Sequence, residues 1–168
     1  MKETNVYADD FLRSFAKEGD LMHFLRQRTK TSGWMRKPAK KLRLLPLEEE
    51  KVQQTFPQEP YTLEIISDTM RHTKMMLKVE KEYYPVRNCA IHTILTRAGV
   101  KGDALKRLSP SNYAKVVNMC LQTAKGMALI RLADGKVSAV HGGDISDYRI
   151  LDMEQIFQET ILYLQKNF

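Results

Sequence analysis

Residues 128–140 read ALIRLADGKVSAV, and this stretch carries the strongest short-range hairpin signal in the chain. Apolar and polar positions alternate on both sides of Asp134-Gly135, which is the pattern of two half-buried strands. Asp-Gly favours a type I′ turn, because that turn needs positive φ at both of its central residues. The stretch therefore predicts an antiparallel β-hairpin.

Helix signals lie on both sides of this hairpin. A helix is predicted over residues 85–98, where proline begins it and Gly99 is placed to end it. Ser109-Pro110 provides an N-cap followed by proline at the first helical position of another helix. Asp152 and Gln155 have the spacing of a capping box, which predicts a final helix.

The strands of the remaining sheet are expected earlier in the chain. TLEIIS at residues 62–67 and TKMMLKVE at residues 73–80 have β-like composition. A short strand could begin among the leucines of residues 42–45, and LEEEKVQQTF at residues 47–56 could add one or two helical turns. The predicted fold is α+β, a small antiparallel sheet packed with helices.

A run of cations without any acidic residue lies between Asp20 and Glu48. Trp34, the only tryptophan, lies in its middle beside Gly33. Cations interleaved with an aromatic ring can bind phosphates and stack on a base, although a solvated helix face is the simpler alternative. The candidate binding residues are Arg26, Arg28, Lys30, Trp34, Arg36, Lys37, Lys40, Lys41 and Arg43.

Residues 1–45 are predicted to form a helical, basic N-terminal arm, and residues 46–168 an α+β core domain. A first helix is expected from about Asn5 to Lys17 and a second one after Gly19, because apolar residues recur at helical spacing. TKTSGWMRKPAKK at residues 29–41 is predicted to be a loop, since glycine and proline interrupt it.

The charge balance supports a local docking surface. The chain has 27 Lys and Arg against 20 Asp and Glu, for a net charge of +7. The cation run alone exceeds this value, so the rest of the chain is close to neutral. Cys89 and Cys120 are expected to be buried free thiols, and no signal peptide or membrane-spanning stretch is present in the sequence, which favours a cytoplasmic protein.

The loop HGGDISDY at residues 141–148 is the strongest candidate for a polar site. His141 and Asp144 could ligate a metal together, but a tight turn whose polar side chains bond the local backbone is favoured. Cys89 and His92 have i, i+3 spacing, and core packing is favoured over a catalytic pair. No metal, cofactor or catalytic residue is predicted, so we expect a protein that is not an enzyme.

Several short motifs resemble the phage/plasmid-like proteins of unknown function that occur in mobile elements. They are YPVRN at residues 84–88, GKVSAV at residues 135–140, SDY at residues 146–148 and the Leu151-Asp152 helix start. The resemblance covers about residues 80–165. It implies a mobile-element context, and it assigns no catalytic residue.

Two functions fit these features best, and an enzyme built around His141 and Asp144 is a third, weaker possibility. The first is a non-enzymatic nucleic-acid-binding protein of a phage or mobile element, which uses segment 26–43 to bind the phosphates of DNA or RNA. The alternative is a phage-type inhibitor of a host defence nuclease, such as an anti-CRISPR protein, whose basic segment binds an acidic surface or a guide RNA. Both functions require an anionic partner.

Overall fold

Helices and two small sheets make up the residues that the computed structural model describes, which are residues 5–48, 63–101, 103–144 and 150–167. The α-helices are α1 (Glu18–Lys30), α2 (Leu63–His72), α3 (Asn88–Ala98), α4 (Pro110–Thr123) and α5 (Met153–Asn167). The strands are β1 (Ser32–Pro38), β2 (Arg43–Pro46), β3 (Met75–Val79), β4 (Glu82–Pro85), β5 (Met127–Ala133) and β6 (Lys136–Gly142). The predicted α+β class is confirmed.

The strands form two antiparallel sheets, in the orders β1-β5-β6 and β2-β3-β4. A parallel bridge between Val86 and Val137 joins them, and the backbone N–H of Arg87 donates to the carbonyl of Val137 at 2.9 Å. The end of β4 therefore lies against β6, and the two sheets share one apolar core. Strand β1 is at the outer edge of the first sheet.

The hairpin predicted around Asp134-Gly135 is confirmed. Asp134 has φ 52° and Gly135 has φ 78°, the positive values that a type I′ turn requires. Apolar side chains of β5 and β6, such as Ile130 and Val140, are buried against α3 and α4. The hairpin thus supplies the centre of the core.

The predicted boundaries of the helices after residue 85 are largely confirmed, whereas α1 begins at Glu18 and therefore includes Gly19, which was expected to precede it. Helix α4 begins after Ser109, whose Oγ accepts a hydrogen bond from the N–H of Asn112 at 3.4 Å. Helix α3 ends at Gly99, which adopts φ 71°. It begins at Asn88 rather than residue 85, because Pro85 is the last residue of β4 and pairs with Met76.

The loop predicted over residues 29–41 is wrong, because Ser32–Pro38 is strand β1. It pairs antiparallel with the whole of β5, from Ser32 opposite Ala133 to Pro38 opposite Met127. At the edge of a sheet, glycine and proline are tolerated, since only one side of the strand needs backbone partners. Cross-strand pairing therefore overrides the local loop signal.

Two other local predictions are also wrong. TLEIIS was expected as a strand, but residues 63–72 form helix α2, which buries Ile65, Asp68 and Thr69 on one face. The first helix, expected up to residue 17, is absent from residues 5–17, where the chain makes turns. There the carbonyls of Val6 and Ala8 accept hydrogen bonds from the Arg87 side chain instead of from a helical backbone.

The division into an arm of residues 1–45 and a core of residues 46–168 stays a prediction. Its boundary falls within β2, and the preceding segment contributes Ala39, Leu42 and Leu44 to the core. LEEEKVQQTF lies mostly outside the described residues. None of the helices described combines the length and apolarity that a bilayer crossing requires.

Candidate functional site

Strand β1 carries Trp34 and Arg36 on one face of the edge of the first sheet. In the antiparallel register, Trp34 lies opposite Arg131, and Arg36 lies opposite Leu129. Directly opposite residues project from the same face of a sheet, so these four side chains are neighbours. The guanidinium carbon of Arg131 is 5.7 Å from the centroid of the Trp34 ring, within the range of a cation–π contact.

Four of the eight predicted binding cations form salt bridges or hydrogen bonds within the protein. Three are salt-bridged: Arg26 to Glu154 at 3.0 Å, Arg28 to Asp134 at 2.8 Å and Lys37 to Glu80 at 2.9 Å. The fourth, Arg43, donates from Nη1 to the carbonyls of Lys40 and Leu42, both at 2.7 Å. Their positive charges are therefore already compensated or turned toward the backbone.

The other four cations are exposed and form no salt bridge within the part of the chain that the structure describes. They are Lys30, Arg36, Lys40 and Lys41. Lys30 ends α1 just before β1, whereas Lys40 and Lys41 lie in the 3₁₀ helix just after it. The 7 residues of β1 span about 20 Å, so these cations form a line along one sheet edge. We call Lys30, Trp34, Arg36, Lys40 and Lys41 the basic strand surface.

Glu80 lies close to two cations of this segment, Lys37 and Lys41. The hydrogen bond and charge of Lys37 lower the pKa of Glu80, and the charge of Lys41 acts in the same direction. Lys37 lies on the face of β1 opposite Trp34, and its salt bridge with Glu80 neutralises its charge. The unpaired cations are therefore concentrated around Trp34 and at the two ends of β1.

Sequence reasoning missed two cations beside this surface. Arg131 is the one charge in the apolar stretch ALIRLA, and that interruption was the available signal. Its Nε is buried without a hydrogen-bond partner among the described residues. Lys125 is exposed next to Gly126, whose carbonyl accepts a hydrogen bond from the N–H of Ala39 at 3.1 Å, so it lies at the Lys40 end of the surface.

The polar loop after β6 is explained by local backbone contacts over the part that is described. The Oδ1 of Asp144 accepts from the N–H of Met127 at 3.3 Å, and the N–H of Gly143 donates to the Met127 carbonyl at 2.8 Å. A Cβ at Gly143 would lie 2.6 Å from the backbone of Ala128, so only glycine fits there. His141 is half-buried, and its pKa is lowered by burial and by the charge of Arg131. Residues 145–149 lie outside the described residues.

A cluster of buried charges forms the second polar feature of the molecule. Lys136 has 0% exposure, and its Nζ lies 2.5 Å from Oδ2 of Asp68 and 3.4 Å from Oδ1 of Asp9. The side chains of both aspartates are at most 4% exposed. We call Asp9, Asp68 and Lys136 the buried ion cluster.

The buried ion cluster joins three distant parts of the chain. Asp9 lies in the N-terminal segment, Asp68 in α2 and Lys136 at the first position of β6. The N–H of Asp9 donates to Asp68 at 3.2 Å, and Oδ2 of Asp9 accepts from the N–H of Asn88 at the start of α3. These bonds satisfy the carboxylates, which is the condition for burying them.

A neighbouring pair of buried charges completes this arrangement. Arg87 is 8% exposed and lies 3.4 Å from Asp134 at the hairpin turn. Asp134 also accepts hydrogen bonds from Arg28 at 2.8 Å and from the hydroxyl of Thr31 at 2.9 Å. The hairpin turn is thus tied to the junction between α1 and β1, which fixes where the basic strand surface begins.

Among the described residues, one group of three side chains is close enough to share a metal ion: Asp10, Asp68 and His72. It includes neither His141 nor Asp144. Burial alone would raise the pKa of Asp68, but the hydrogen bond and charge of Lys136, with a further bond from Arg71, hold it below its usual range. Because two cationic side chains already neutralise this carboxylate, the group is a poor metal site.

The cysteines are free, as predicted, but not buried as predicted. Cys89 is exposed and Cys120 is half-buried. The thiol of Cys89 donates to the carbonyl of Ser138 at 3.3 Å, so it contacts the sheet rather than His92. This geometry supports no nucleophile and base pair.

Comparison of the chain with known protein families, curated proteins and solved structures gives no significant match. The resemblance of residues 80–165 to phage/plasmid-like proteins therefore stays a prediction.

Proposed function

We propose that the protein is a non-enzymatic nucleic-acid-binding protein and that the basic strand surface is its binding site. The observation that supports this most directly is the separation of the cation run into two sets. Arg26, Arg28 and Lys37 have acidic partners, whereas the cations that flank Trp34 have none within the described residues. Unpaired cations in a line along one edge are suited to a chain of phosphates.

Protection of a sheet edge is the simpler explanation for charge on β1. Lysine and proline on edge strands prevent unwanted pairing with other strands, and this accounts for Lys37 and Pro38. It does not account for cations beyond the strand at Lys30, Lys40 and Lys41. It also does not explain why Trp34 lies beside Arg36 on the same face of this edge strand.

The test is the salt dependence of binding to a labelled oligonucleotide, measured by fluorescence anisotropy. A variant in which Lys30, Arg36, Lys40 and Lys41 are all replaced by serine should bind more weakly. Its plot of log affinity against log salt should be flatter by up to about 3 to 4 units, since each lost phosphate contact removes about 0.7 to 0.9.

A matched control removes the same charge elsewhere. Lys101, Arg107, Lys115 and Lys166 are exposed elsewhere on the chain and can be replaced by serine in the same way. This control should keep most of the parent's affinity. Equal binding by the parent and both variants would contradict the proposal. A different result would favour a protein-binding inhibitor instead. In that case the parent would capture a protein from a nuclease-treated lysate, the fourfold serine variant would not, and both would bind the oligonucleotide weakly.

A further inference from the structure

We propose that the basic strand surface recognises single-stranded nucleic acid, with one base stacked on the Trp34–Arg131 pair; this inference rests on the proposed function and specifies its ligand. Both members of the pair are half-buried, and their positions are fixed by strand pairing rather than by a flexible loop. A fixed aromatic ring beside a planar guanidinium presents two flat groups, and unstacked bases stack on both.

The geometry disfavours a duplex as the main ligand. Bases in a duplex are stacked on each other, so an aromatic side chain reaches their faces only at the cost of unstacking or extruding a base. The unpaired cations follow the course of β1. Lys30 precedes the strand, Arg36 lies within it, and Lys40 and Lys41 come after it. Such a line can follow one phosphate backbone, with the stacked base between the two cationic ends.

The free edge of β1 provides a second contact to unpaired bases. Among the described residues, no strand pairs with β1 on the side away from β5. Backbone N–H and C=O groups on that side are available as hydrogen-bond donors and acceptors. In a single strand the Watson–Crick edges of the bases are free to use them, whereas in a duplex they are occupied.

The experiment compares a 12-nucleotide single-stranded DNA, the corresponding RNA and the 12-base-pair duplex of the same sequence. Because Trp34 is the only tryptophan, its intrinsic fluorescence reports contact at this position directly. We expect a single strand to quench this fluorescence and to bind more tightly than the duplex.

Variants at the stacking position give the decisive readout. Trp34→Ala should weaken single-strand binding by about 5- to 150-fold, with little change in the salt dependence and little effect on the duplex. Trp34→Phe keeps a ring and should recover part of the loss. Tyr163→Ala is the matched control, since Tyr163 is an aromatic side chain with 65% exposure on α5 and should have no effect.

The outcomes separate this inference from the function on which it rests. The inference would be overturned if single strand and duplex bound equally well, the fluorescence were not quenched and Trp34→Ala had no effect. This holds even if the fourfold serine variant still lost binding, which would leave the proposed function intact. Failure of the parent to bind any of the three oligonucleotides would overturn both. A folded Trp34→Phe variant, checked by its melting temperature, keeps the test valid if Trp34→Ala is unstable.

Discussion

The buried ion cluster and the basic strand surface are both built from charged side chains, and they differ in whether each charge has a partner. Lys136 is fully buried, and two carboxylates satisfy its ammonium group. Arg36 is exposed and forms no salt bridge within the described residues. Paired charges hold distant segments of this chain together, whereas the unpaired ones remain available to another molecule. The two regions should therefore respond in opposite ways to mutation.

Lys136→Met should have the largest effect on stability. Removing the ammonium group leaves Asp9 buried without a cation and Asp68 with only the exposed Arg71. Breaking a buried ion pair from one side costs about 3–5 kcal/mol. The free energy of unfolding, measured by urea denaturation, should fall by this amount. Lys125→Met is the control, since Lys125 is exposed and should change stability by less than about 0.5 kcal/mol. Equal stability of the two variants would show that a buried, paired lysine contributes no more to folding than an exposed one.

Acid should release part of the same stabilisation. The pKa of Asp68 is lower in the folded protein than the value of about 3.9 expected in the unfolded chain. The unfolded chain therefore takes up this proton more readily, so the stabilisation is present above about pH 4 and is lost as the pH falls further. Urea midpoints measured across this range should decline more for the parent than for Lys136→Met, in which Asp68 has lost its main cation. Parallel declines would contradict this assignment.

Gly135→Val should destabilise the hairpin by about 1 kcal/mol or more, which is typical for an unsuitable residue at a strained backbone position. Gly135 has φ 78°, and a Cβ there would lie 3.1 Å from Cδ1 of Ile65. Gly33→Val in β1 is the matched control, because Gly33 has no positive φ and no atom within 4 Å of an added Cβ. If thermal denaturation gave the same melting temperature for both variants, the turn would not limit the stability of the sheet.

The smallest effect on stability is expected from the fourfold serine variant of Lys30, Arg36, Lys40 and Lys41. Exposed side chains without partners contribute little to folding, so the free energy of unfolding should stay within about 0.5 kcal/mol of the parent. A loss of more than about 1 kcal/mol in urea denaturation would mean that this surface serves the fold. It would then resemble the buried ion cluster in its role.

Local signals predicted those parts of the fold that depend on neighbouring residues. Asp134-Gly135, the Ser109 cap and Gly99 each act within one turn of chain, and each was found where the sequence placed it. Strand β1 was missed because it is stabilised by pairing with β5, whose residues lie far away in the sequence. Its glycine and proline gave only the local loop signal.

The candidate site was predictable in composition but not in arrangement. The cation run was evident, yet nothing in the sequence showed that Arg28 would bind Asp134 or that Lys37 would bind Glu80. The buried ion cluster was not predicted at all. Lys136 follows the turn at a position that reads as exposed, and its partner Asp68 lies in a segment that was expected to connect two strands but is helical.

The pairing of β1 with β5 also has a consequence for the order of events during synthesis. Ser32 pairs with Ala133, so about 100 residues must be translated before β1 meets its partner. At common elongation rates of about 5–20 residues per second, the nascent β1 waits several seconds or more with an unpaired backbone. During that interval the positive charges of Arg36, Lys40 and Lys41 would repel similar chains and so disfavour aggregation. The same cations would then serve the protein first while it is being made and afterwards in its folded state.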